Sequence, residues 1–97
     1  MMTPDPARRW RIPPEADLRH REWDGEHVFF HGAAGDTHRF SDAAALVLLR
    51  LMAAPADESD LATLLAEAAA VEPVEAATAL TDILAELARL EFAEPVA

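Results

Sequence analysis

Four histidines, His20, His27, His31 and His38, are the side chains best equipped for chemistry, and all lie in the first half of the chain. A zinc site needs three or four ligands converging at ~2 Å from the ion. His27 and His31 sit four residues apart in a stretch that reads as a strand, which separates their backbones by roughly 13 Å. His20 and His27 fall on one face as diagonal neighbours, and His31 shares that face, yet the spacing does not close a ligand set. Exposed polar strand positions are the expectation for these histidines, with no metal. The eighteen carboxylates fall mainly on the polar faces of helical segments, without a convergent acid–base pair. The chain has no cysteine, hence no disulfide or thiolate site. Its three glycines, Gly25, Gly32 and Gly35, each occupy a turn, and none belongs to a phosphate-binding loop. No Ser-His-Asp arrangement is present. Neither a cofactor nor catalysis is expected.

The chain of 97 residues is long enough for one domain with one modest core. No apolar run approaches the ~18 residues needed to span a bilayer, and no basic segment leads into a hydrophobic one near the N-terminus. A cytoplasmic protein without a membrane partner is expected. Eight arginines, no lysine and eighteen acids give a net charge of −10. The imbalance is local: residues 1–40 carry a net −1, and residues 41–97 carry −9. The second half is therefore a poor binder of phosphates.

Residues 1–14, broken by Pro4, Pro6, Pro13 and Pro14, read as a flexible tail, leaving 15–97 as the domain. Trp10 is expected to pack on the domain edge or to stay mobile. Residues 18–23 and 26–31 read as strands around Asp24-Gly25, a pair suited to a two-residue type I′ turn. That turn sets Trp23 opposite Glu26, Arg21 opposite Val28, His20 opposite Phe29 and Arg19 opposite Phe30. Alternation leaves open which face meets the helices. Trp23 is expected to pack over the sheet, with a peptide contact as the alternative. After a longer turn at 32–36, Thr37–Phe40 forms a short third strand.

From Ser41 the hydrophobic period changes to about 3.6. Ser41 suits an N-cap. The first helix is expected over 42–53, with Ala45, Leu48, Leu49 and Met52 inward, ending before Pro55. Asp57 or Ser59 caps a second helix over 58–70, with Leu61, Leu64, Leu65 and Ala68 inward. Pro73 suits the first turn of a third, over 74–90, whose core stripe is Leu80, Ile83, Leu84 and Leu87. The expected fold is α+β: a three-stranded antiparallel meander followed by three helices, in a winged helix-turn-helix arrangement.

The segments Trp23-Asp24-Gly25-Glu26-His27-Val28-Phe29-Phe30 and Gly35-Asp36-Thr37-His38, with Phe40-Ser41 before an aliphatic helix, resemble PqqD-like proteins. These are leader-peptide recognition elements of ribosomally made, modified peptides. The sequence looks closest to the small PqqD-family peptide chaperones of HPr-kinase-related systems, over residues 10–94. The resemblance implies a non-catalytic chaperone. Such a domain adds a precursor peptide's leader as a strand beside the third strand and presents it to a separate modifying enzyme. Carried onto this chain, the peptide-binding residues are Thr37, His38, Arg39 and Phe40. The flank of the third helix adds Val74, Ala77, Thr81, Ala85 and Ala88. An exposed strand edge supports that mode of binding, and the small flank leaves room for a shallow groove or, equally, for close internal helix packing. Glu75, Asp82 and Glu86 would steer a basic leader. A second copy pairing through the same edge is the competing occupant. The alternative function is a DNA-binding winged-helix regulator. The third helix opposes it, because Arg89 stands there against three carboxylates, and no nucleic-acid partner is expected.

Overall fold

The computed structural model describes residues 7–96. Pro4 and Pro6 of the expected tail lie outside them. In chain order the elements are β1 (Arg9–Arg11), β2 (Leu18–Trp23), β3 (Glu26–His31), β4 (Asp36–Phe40), α1 (Asp42–Ala53), β5 (Ala56–Asp57), α2 (Glu58–Ala69), α3 (Pro73–Arg89) and β6 (Glu94–Pro95). The architecture is α+β. One antiparallel sheet has the order β2-β3-β4, and a second, smaller one has the order β5-β1-β6.

The first hairpin follows from its turn. Asp24 and Gly25 adopt φ of 56° and 79°, as a type I′ turn requires. Pairing runs from Trp23↔Glu26 to Leu18↔His31, in the expected register. The second turn needs a glycine for a different reason. A Cβ on Gly32 would lie 2.6 Å from Asp17 Oδ2 and 3.0 Å from the Asp17 carbonyl oxygen, because the two backbones touch there.

The face carrying Phe29 and His31 packs on the helices, and the face carrying Trp23, Val28 and Phe30 turns outward. Trp23 does not pack over the sheet as expected; it is 69% exposed. The histidines are not exposed strand positions either. His31 is buried, and His20, His27 and His38 are half-buried on the inner face. There they join Phe29, Phe40 and Phe92 in a chain of ring contacts. An imidazole beside aromatic rings offers an apolar body and a polar tip, which suits a half-wet face.

Helix starts match their caps. Ser41 Oγ accepts from the Ala44 N–H, Asp57 Oδ1 accepts from the Asp60 N–H, and Pro73 opens α3. The buried face of α1 is Ala44, Ala45, Val47, Leu48 and Leu51. Leu49 and Met52, expected inside, are exposed. This helix is apolar around most of its circumference, so contact with the sheet and α2 selects the stripe rather than the pattern. In α2, Leu61 and Leu65 are buried, Leu64 is half-buried, and Ala68 faces outward. In α3, Ala76, Leu80, Leu84 and Leu87 are buried and Ile83 is half-buried.

The largest departure is at the N-terminus. Residues 9–11, within the stretch read as a tail, form the central strand β1 of the small sheet. Trp10 belongs to the core at 5% exposure. Its indole N–H donates to Glu58 Oε2 at 2.8 Å, and the Arg8 guanidinium lies 5.3 Å from the ring centroid. Arg11 pairs with Glu94 at 2.7 Å.

Candidate functional site

β4 ends the larger sheet, and no strand of the described chain pairs with its outer edge. Which of its groups are free follows from the turn at Asp24-Gly25. A two-residue hairpin closes on a hydrogen-bonded pair, here Trp23–Glu26. Alternation then directs Glu26, Val28 and Phe30 of β3 toward β2, and His27, Phe29 and His31 toward β4. The Gly32 N–H donating to the Asp17 carbonyl continues the same alternation. The partners of the second set are Phe40, His38 and Asp36. Those three residues spend their main-chain groups on β3. Thr37 and Arg39 direct their N–H and C=O groups to the open edge.

Beside this edge lies a groove of about 230 Å³, lined by Arg39, Phe40, Ser41, Ala44, Asp82, Ile83, Glu86 and Leu87. Its floor is apolar and its α3 wall is acidic. Arg39 reaches Glu26 at 3.4 Å, and Glu86 lies 3.7 Å from Arg89. Asp82 has no ion pair among the described residues. A volume of this size receives one or two side chains of an added strand, not a whole peptide.

The structure therefore brings together Arg39 and Phe40 with the Asp82–Leu87 stretch of α3. Thr37 and His38 belong to the same strand: the Thr37 side chain lies on the outer face, and His38 contacts Phe40 and Phe92 on the inner one. The small flank of α3 goes elsewhere. Ala77 and Thr81 line a separate apolar groove of about 480 Å³ against Ala62 and Ala66 of α2. Thr81 Oγ1 donates back to the Ala77 carbonyl at 3.0 Å. Val74 and Ala85 are exposed, and Ala88 packs partly against the core. Of the small flank, Ala77 and Thr81 thus face α2, and the wall facing β4 is built by Asp82, Ile83 and Glu86. The signal for that wall was present in the sequence: Ile83 sits at the margin of the core stripe, where a groove-lining apolar residue belongs.

The inner-face histidines are used structurally. The Ala34 N–H donates to His31 Nδ1 at 3.2 Å, so Nε2 is the ring donor and meets the Glu91 carbonyl at 3.0 Å. That contact ties the end of β3 to the turn after α3. His20 Nε2 and His27 Nδ1 lie 2.9 Å apart. No group of three or more metal-ligating side chains occurs among the described residues, and none of their helices is long and apolar enough to cross a membrane.

No protein-family model matches the sequence, and no curated protein matches it. Solved structures do. A lasso peptide synthetase B1 complexed with the leader peptide is 26% identical, with a TM-score of 0.69 over 89% of this chain and 98% of that one. TbiB1 in complex with the TbiA(beta) leader peptide is 18% identical, with a TM-score of 0.72 over 90% of this chain and 98% of that one. The second likeness is one of fold alone.

Proposed function

We propose that this chain is a non-catalytic peptide chaperone in a winged-helix arrangement. It captures the leader segment of a ribosomally made precursor peptide and presents it to a separate modifying enzyme. The leader adds as a strand to β4, and its side chains enter the groove against α3. The observation that carries this reading is an unpaired β4 edge lying beside a side-chain-sized groove. The likeness to a lasso peptide synthetase B1 complexed with the leader peptide supports the choice of ligand. Main-chain pairing supplies affinity whatever the sequence of the peptide, and the groove selects among side chains. Thr37 and Arg39 offer the main-chain groups, Phe40 and Ile83 the apolar contact, and Asp82 and Glu86 a preference for basic residues. The PqqD-like assignment of the sequence motifs belongs to the same reading.

The test is a titration of the isotope-labelled chain with precursor leaders encoded beside it, followed by backbone amide shifts. The expected result is shifts at 36–40 and 82–87, saturating at micromolar peptide. Shifts confined to the α2–α3 groove, or none with any neighbouring peptide, would overturn the proposal.

A further inference from the structure

Among the described residues nothing covers the outer face of the β2-β3-β4 sheet, and its composition is unlike the rest of the chain. Trp23 is 69% and Phe30 39% exposed on it. Val28 sits between Arg21 and Arg39 in one cross-strand row, and Phe30 between Arg19 and Thr37 in the next. Three of the eight arginines thus share this face with one strand carboxylate, Glu26, in a chain of net charge −10. On the strands themselves this face carries three cationic side chains against one carboxylate, whereas the chain as a whole is acidic.

We propose that this face docks the modifying enzyme, through an apolar patch on that enzyme rimmed by carboxylates. The identity of the partner rests on the peptide-chaperone reading above; its chemistry rests on the face. Trp and Arg are the side chains that most often dominate association energy. A paired sheet fixes the backbone that carries them, so a partner orders only the side chains. The ion pairs already present are exposed ones, Arg39 with Glu26 at 3.4 Å and Arg19 with Asp17 at 3.6 Å. Such pairs hold weakly in water and exchange readily for a partner's carboxylates. Arg21 has no ion pair among the described residues. Nucleic acid fits less well, because the three arginines are spread over three strands with an apolar row between them and, among the described residues, line no groove that could follow a phosphate backbone.

Position favours the enzyme over an unrelated acidic protein. Thr37 and Arg39 contribute side chains to this face and main-chain groups to the free edge of β4. A protein seated on the face therefore lies alongside a peptide paired to that edge.

The experiment uses the full chain with R19E/R21E and W23S, neither of which alters the β4 edge or its groove. Each enzyme encoded by a neighbouring gene is purified and titrated against the wild type and both variants, in low and moderate salt, and the leader peptide is titrated in parallel. One enzyme is expected to bind the wild type and to lose at least about tenfold in affinity with each variant. The charge variant should also flatten the salt dependence. Leader affinity should stay within about twofold of wild type. Enzyme binding that ignores both variants, or no enzyme binding at all, overturns the proposal. So does binding of short single-stranded RNA to the face in place of an enzyme, or a dimer of this chain abolished by the same substitutions. A leader that fails to bind while an enzyme still docks through Trp23 sinks the peptide reading and leaves the docking surface standing.

Discussion

Replacing Thr37 by proline separates the edge of β4 from its paired side. Pairing alternation gives the open edge four main-chain groups, the N–H and C=O of Thr37 and Arg39. An added strand gains about 0.5–1.5 kcal/mol from each such bond, or about 2–6 kcal/mol in all. Proline at 37 deletes one donor and leaves a peptide carbonyl without a partner, at about 1–3 kcal/mol. Leader affinity should fall roughly 5- to 150-fold. The fold should barely notice, because the lost N–H faces away from β3 and edge strands tolerate proline there. The contrast is His38→Pro, which removes a donor directed to β3, leaves its acceptor without a partner and strips the His38 ring from Phe40 and Phe92, at about 3 kcal/mol in all. For a domain of this size that lowers Tm by more than about 10 °C, against less than about 4 °C for T37P. Calorimetric peptide titration and thermal melts of both variants read the two effects. Wild-type leader affinity in T37P, or equal destabilisation by the two prolines, would refute the assigned pairing parity and the strand-addition geometry with it.

Reversing the acidic groove wall with D82R/E86R should weaken a leader carrying basic residues and strengthen an acidic one, with both effects shrinking as salt rises; peptide pairs of opposite charge measured at two ionic strengths check this. Phe92→Ala empties a fully buried site in ring contact with His31, His38 and Phe40, and should destabilise by about 3–5 kcal/mol in denaturant titration. Ala70 closes α2 at φ 53°, a left-handed position that favours glycine, so A70G should raise stability by about 0.5–1 kcal/mol in the same assay.

The parts of the fold legible in the sequence are those specified by local chemistry. Asp24-Gly25 admits one tight turn, and that turn dictates the register of the first hairpin. Ser41, Asp57 and Pro73 mark helix starts because each meets an orphan N–H or lacks one. Other features depend on partners distant in the chain. The two faces of the hairpin each carry phenylalanine, so alternation alone could not tell core from surface; Phe92, beyond α3, makes the choice by packing beneath Phe40 and His38. The α1 stripe was misread at Leu49 and Met52 because a helix with apolar residues on nearly every side contains no preferred direction. β1 escaped notice because three residues flanked by prolines show no period, and their partners are Ala56, Asp57, Glu94 and Pro95. At the candidate site, β4 was readable as a strand following two turns. On α3 the sequence offers two candidate walls, the small flank with Ala77 and the acidic side with Asp82, Ile83 and Glu86, and only the position of α2 decides which one faces β4.

The small sheet has a bearing on how the molecule opens. β1 lies between β5 and β6, so residues near both ends of the described chain hydrogen-bond to each other, and the Val96 N–H donates to the Arg9 carbonyl at 2.8 Å. Chain ends usually fray independently and exchange their amide protons quickly. Here β1 cannot leave without withdrawing Trp10 from the core and breaking its bonds to β5 and to Glu58 at the start of α2. The amides of Trp10 and Val96 should therefore exchange with deuterium at rates close to those of the central helices, so that the two ends behave as part of one cooperative unit rather than as loose margins.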